Sequence, residues 1–87
     1  MGFAKNAERR LELNAARLDI GRPARVIELQ GGSRATAKLN AMGIIPGAVI
    51  IKKSAAPLRG PVVLEKGAMT IAVGRDLAAK IIVQPMD

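Results

Sequence analysis

The sequence contains no histidine, no cysteine, no tryptophan and no tyrosine. Each absence removes a class of function. Without histidine there is no ordinary general base near neutral pH and no imidazole ligand for a transition metal. Without cysteine there is neither a disulfide framework nor a thiolate site. Ser33 and Ser54 therefore have no histidine to activate them as nucleophiles. The carboxylates Glu8, Glu12, Asp19, Glu28, Glu65, Asp76 and Asp87 are scattered along the chain. Only Glu8 and Glu12 share a helical face, where exposed glutamate is ordinary. No catalysis, bound metal or cofactor is expected.

Aromatic residues are almost as scarce, with Phe3 alone. The core must be built from Val, Ile, Leu, Met and Ala. Small barrels that bind single-stranded nucleic acid stack bases on aromatic rings. Grooves that take proline-rich peptides are lined by aromatics as well. This chain lacks the residues for both. No apolar run approaches the length of a membrane span. The first residues lack the apolar segment of a secretion signal, and MGFAKN has Asn6 where a myristoylation signal needs Ser or Thr. A soluble cytoplasmic protein is the expectation.

What the chain does have is aliphatic content and positive charge. Its 87 residues suffice for one domain, 49% of them are hydrophobic, and 14 basic against 7 acidic residues give a net charge of +7. That charge suits nucleic acid, an acidic protein or an anionic membrane surface. Nucleic-acid binding through phosphate contacts is the alternative reading, but no recognition helix or RNA-binding signature accompanies it.

Residues 3–18, FAKNAERRLELNAARL, predict a helix of good helix formers with a weak apolar stripe. It has three readings: it docks on its own domain or is disordered, it meets a partner protein, or it rests weakly on an anionic membrane. On this reading residues 1–17 form a basic extension to a domain of residues 18–87. ARVIELQ predicts a strand with Ala24 and Val26 on one face and Ile27 and Leu29 on the other. After Gly31-Gly32, Ser33 is placed to cap a short amphipathic helix carrying Ala35, Leu39 and Met42 on one face. Gly43 fits the left-handed residue that closes a helix, and Ile44 its hydrophobic contact. Pro46-Gly47 fits the centre of a type II turn. AVIIKKS, VVLE, MTIAV and IIVQ predict further strands, with a turn at Lys66-Gly67 and one helical turn in RDLAAK. Five short antiparallel strands with brief connections predict a small barrel or sandwich.

LNAMGIIPGAVI, residues 39–50, resembles the L-x-x-[LM]-G-[IL]-x-P-G corner of the FeoA family, small cytosolic proteins of bacterial ferrous iron uptake. LDIGRPARV, APLRGPVVLE and MTIAVGRDLAAKIIV resemble three further segments of that family, in the same order, covering residues 18–84. The resemblance implies an SH3-like barrel with a helix inserted between its first two strands. It also implies a non-enzymatic accessory role. The partner would be the cytosolic GTP-binding region of a FeoB-type membrane transporter, which would recruit the protein to the inner face of the membrane. A similar domain ends the iron-dependent repressors of the diphtheria-toxin repressor type, so fold alone does not fix the role. One departure is Gly60, where the family usually has Asp before the proline. That Asp could hydrogen-bond its own loop backbone.

Gly43, Pro46 and Gly47 are thus expected to be a rigid structural corner. Leu39 and Met42 are expected in the core or at a partner contact. Lys52 and Lys53 either protect an edge strand or join Arg59 and Lys80 on a basic docking face. Leu58 and Arg59 are the further candidates for partner binding. Oligomeric state is not encoded in any motif.

Overall fold

Alternation of aliphatic with polar or small residues makes strands of most segments that carry it, because successive side chains point to opposite faces. A computed structural model describes residues 13–86. In chain order it contains β1 (Leu13–Asn14), β2 (Pro23–Leu29), α1 (Ser33–Ala41), β3 (Val49–Ala55), β4 (Val62–Lys66), β5 (Met69–Val73), α2 (Arg75–Ala78) and β6 (Ile81–Pro85). The strands form one antiparallel sheet in the order β1-β6-β2-β3-β4-β5. The barrel of about five strands expected from the sequence is therefore corrected to an open sheet of six strands, with β1 and β5 at its edges.

The expected N-terminal helix is the second correction. Its residues 3–12 lie outside the described residues. Its last part is not helical: Leu13 and Asn14 pair with Val83 and Ile82 of β6. Asn14 then turns the chain, because both its carbonyl and its side-chain Oδ1 accept from the Arg17 N–H, at 3.0 and 3.1 Å. Such local side-chain bonds compete with helix, and propensity is a weak prior that tertiary burial overrides. Ala15, Ala16 and Leu18 are buried in the core.

Two bulges bend the sheet and reverse the alternation read from the sequence. The β2–β6 register shifts between Val26 and Glu28, at Ile27. One extra residue exchanges the faces of everything after it. Ala24 and Val26 are buried on one face, but Leu29 rejoins that core face while Ile27 stays exposed. The β3–β4 register shifts in the same way between Lys52 and Ser54. Ile50 is buried before that bulge, and Ala55 packs on the core after it.

The core between the sheet and the helices is aliphatic, as the shortage of aromatics requires. Leu18, Val26, Leu39, Ile44, Ile50, Val62, Leu64, Val73, Ile81 and Val83 are fully buried. Each contributes about 1.5–3 kcal/mol of transfer free energy.

The corner at residues 42–48 forms as its sequence predicts. Gly43 has φ +81°, its N–H donates to the Asn40 carbonyl, and the Ile44 N–H donates to the Leu39 carbonyl at 2.9 Å. These are the two bonds of a Schellman closure, and Ile44 is fully buried beside it. The Ala48 N–H then donates to the Ile45 carbonyl across Pro46-Gly47, with Gly47 at φ +96°, as a type II turn requires. The Gly47 N–H is also held by the Val26 carbonyl at 2.8 Å, which ties the corner to β2. At the other end of α1 the expectation fails. Gly32 is the N-cap, Ser33 is the first helical residue, and no side chain caps the helix.

Candidate partner-binding surface

Lys52 was expected on an edge strand or on a docking face, and it is on neither. β3 lies inside the sheet between β2 and β4. The Lys52 side chain is turned inward, 6% exposed, and its Nζ donates to the Ala16 carbonyl at 2.8 Å. It thereby fastens the segment after β1 to the centre of the sheet. Burial lowers its pKa below the ordinary lysine value of 10.5; the Arg75 guanidinium adds to this and Asp19 opposes it. The unfolded chain holds this proton over a pH range in which the native chain has released it. Stability should therefore rise as pH climbs from the lowered value through about 10.5. Lys52→Met should lose that rise. At neutral pH it should also cost about 1–3 kcal/mol by leaving the Ala16 carbonyl buried without a donor. Denaturant titrations of both proteins from pH 7 to 11 check this; parallel pH profiles would contradict it.

Lys53 occupies the bulge and points outward, with its Nζ 4.0 Å from Glu65. At that exposure the pair contributes little to stability.

The loop between β3 and β4 is the most unusual surface feature. Leu58 and Arg59 are consecutive non-glycine residues at φ +57° and +63°. They occupy the centre of a tight turn in which the Gly60 N–H donates to the Pro57 carbonyl at 3.2 Å. Two central residues at positive φ are the mark of a type I′ turn, normally built from Asn and Gly. The loop's base is closed by the Ala56 N–H donating to the Pro61 carbonyl at 2.9 Å. A Cβ at Gly60 would lie 2.7 Å from the Ala56 Cβ. An aspartate there could not be accommodated without moving Ala56, so the sequence departure at Gly60 and this loop shape belong together. Leu58 is 97% exposed. Its side chain is presented to solvent by a turn that costs conformational energy to hold.

The remaining candidates separate from this loop. Leu39 is fully buried, and Met42 is half-buried against the core. The corner that carries Met42 lies beside Lys66, whose Nζ is 3.3 Å from where a Gly43 Cβ would stand. Lys66 and the Leu58 loop are at opposite ends of β4, about 13 Å apart along a strand of that length. The sequence-expected set is thus not one site. Leu39 and Lys52 are structural, Met42 belongs to the corner, and Leu58 with Arg59 forms an exposed tip. Ile20, Ile27, Ile45, Val49 and Met69 are large apolar residues left exposed that the sequence pattern did not single out. For Ile27 the bulge is the reason, and a bulge depends on the partner strand's register.

Among the described residues no three acidic, histidine or cysteine side chains gather where they could hold a metal ion. No helix among them is long and apolar enough to cross a membrane.

The FeoA domain model matches residues 13–85. Among curated proteins none matches the sequence. Among solved structures, the iron uptake regulatory protein FeoA is 29% identical with a TM-score of 0.80, and the match covers 86% of this chain and 99% of that one. Iron(II) transport protein A from Clostridium thermocellum is 32% identical with a TM-score of 0.80, and covers 85% of this chain and 46% of its own. A manganese-dependent transcriptional repressor is 13% identical with a TM-score of 0.79, over 86% of this chain and 42% of the repressor. That last likeness is one of fold, the SH3-like arrangement shared with repressor domains. No catalytic family is indicated, and the match spans the whole described sheet. The chain belongs to the FeoA family, which supports a role in ferrous iron transport.

Proposed function

We propose that this chain is a non-enzymatic accessory protein of ferrous iron uptake that binds the cytosolic region of a FeoB-type transporter and modulates it. It would act at the inner face of the membrane, brought there by its partner. The observation that carries the reading is the tip at Leu58-Arg59. A leucine held at positive φ and almost wholly exposed contributes nothing to the core that offsets its strain. Strain kept at a surface tip supports a contact made outside the chain. An aliphatic side chain beside a guanidinium suits a partner pocket with an apolar floor and an acidic rim. A turn already fixed in its bound shape loses little entropy on docking.

The test separates folding from binding. Leu58→Gly places at that position the residue that favours positive φ, so stability should stay unchanged or rise by up to about 1 kcal/mol. The same change removes the anchor, so affinity for the transporter's cytosolic region should fall about tenfold or more. Equal affinity for the two proteins in calorimetry would contradict the assignment of the tip.

A further inference from the structure

A second feature lies away from the Leu58 loop. The two helices face a cleft of about 430 Å³, lined by Arg34, Ala35 and Lys38 of α1, Asp76 and Leu77 of α2, and Lys80. Three cations and one carboxylate surround it, above the aliphatic side chains of Ala35 and Leu77. Among the described residues, none of Arg34, Lys38 and Lys80 is in an ion pair. Concave surfaces with low-dielectric walls concentrate the field of such charges.

Lys80 is positioned by the fold. Its stem crosses the β2–α1 connection, where a Cβ on Gly31 would come within 2.8 Å of the Lys80 Cδ. Its backbone carbonyl is fixed by the Gln30 N–H at 2.8 Å. The glycine at 31 therefore leaves the space in which the lysine lies.

We propose that this cleft binds an acidic peptide segment, with carboxylates flanking an aliphatic side chain, from a protein partner. Charge complementarity selects the acidic residues, which would face Arg34, Lys38 and Lys80. The aliphatic side chain would cover Ala35 and Leu77. Asp76 favours a peptide over a polyphosphate because it can accept from a peptide backbone N–H, a donor that polyphosphate lacks. The segment's source rests on the transporter reading above, whereas the cleft's preference for acidic peptide does not.

The probe is a blocked peptide of two glutamates, a leucine and two glutamates, titrated into the isotopically labelled protein at 50 mM salt. The expected result is a saturable shift of amide signals confined to residues 31–38 and 76–80, with a Kd below about 1 mM. Lys38→Glu, on the exposed face of α1, should weaken it about tenfold. No saturable shift, equal binding by Lys38→Glu, or tighter binding of pyrophosphate at the same residues would overturn the proposal. The transporter's cytosolic region is titrated in parallel. If the peptide binds and that region does not, the cleft assignment stands and the transporter reading falls. If that region binds wild type and Lys38→Glu alike while the peptide fails, the cleft assignment falls and the reading stands.

Discussion

Replacing Leu39 with alanine is expected to lower stability by about 3 kcal/mol, within the usual range for a buried leucine. Leu39 is fully buried. Its carbonyl also accepts from both the Met42 and Ile44 N–H groups at the end of α1. Removing the side chain opens a cavity against Ile44 and the sheet without removing those backbone bonds, so the loss is one of packing. For a domain of this size it corresponds to a fall in Tm of more than about 10 °C. Binding by the fraction that remains folded should be unchanged. A variant that melts like the parent but no longer binds its partner would show that Leu39 is a contact residue.

Gly43→Val is expected to cost about 2–3 kcal/mol. A β-branched residue at φ +81° is strained. The new side chain would also press on the Lys66 ammonium, 3.3 Å from the Cβ position. Lys66 can swing away, but it then leaves the carboxyl end of α1, where a cation is favourable by about 0.3–1 kcal/mol. Gly43→Asn, which tolerates the left-handed region, should cost less than half as much. Chemical denaturation of the two variants checks the order; equal losses would place the cause in side-chain volume instead of backbone conformation.

The corner was legible in the sequence because its rules are local. A glycine after an amphipathic run, an aliphatic residue after it and then Pro-Gly specify bonds between residues at most five apart. The aliphatic core was legible for a similar reason, since Phe3 leaves no aromatic for the sheet. The bulges at Ile27 and Lys53 were not, because a bulge is a relation between two strands and one strand's alternation cannot reveal it. The segment Leu13–Leu18 departs from the helix its composition favours, because Asn14 and the pairing with β6 decide otherwise. Lys52 defied the usual expectation for lysine because its acceptor, the Ala16 carbonyl, lies 36 residues away. Leu58 carries no sign of positive φ in its identity. The cleft joins α1 to α2 and Lys80, segments the sequence holds far apart.

On the proposed function, the chain would be held to the transporter mainly by shape and aliphatic contact at the Leu58 tip, with charge in a supporting role. Phosphate binding alone falls by about 10³-fold or more between 50 and 200 mM salt when six or more contacts are made. A protein interface with an apolar centre weakens far less, because burial of apolar surface is insensitive to that change. The decisive measurement is the affinity of the full chain for the cytosolic region of a FeoB-type transporter, and for single- and double-stranded nucleic acid, across that salt range. Transporter binding is expected to persist at 200 mM salt while nucleic-acid binding is lost. Submicromolar binding to nucleic acid at 200 mM salt, with none to the transporter, would contradict it.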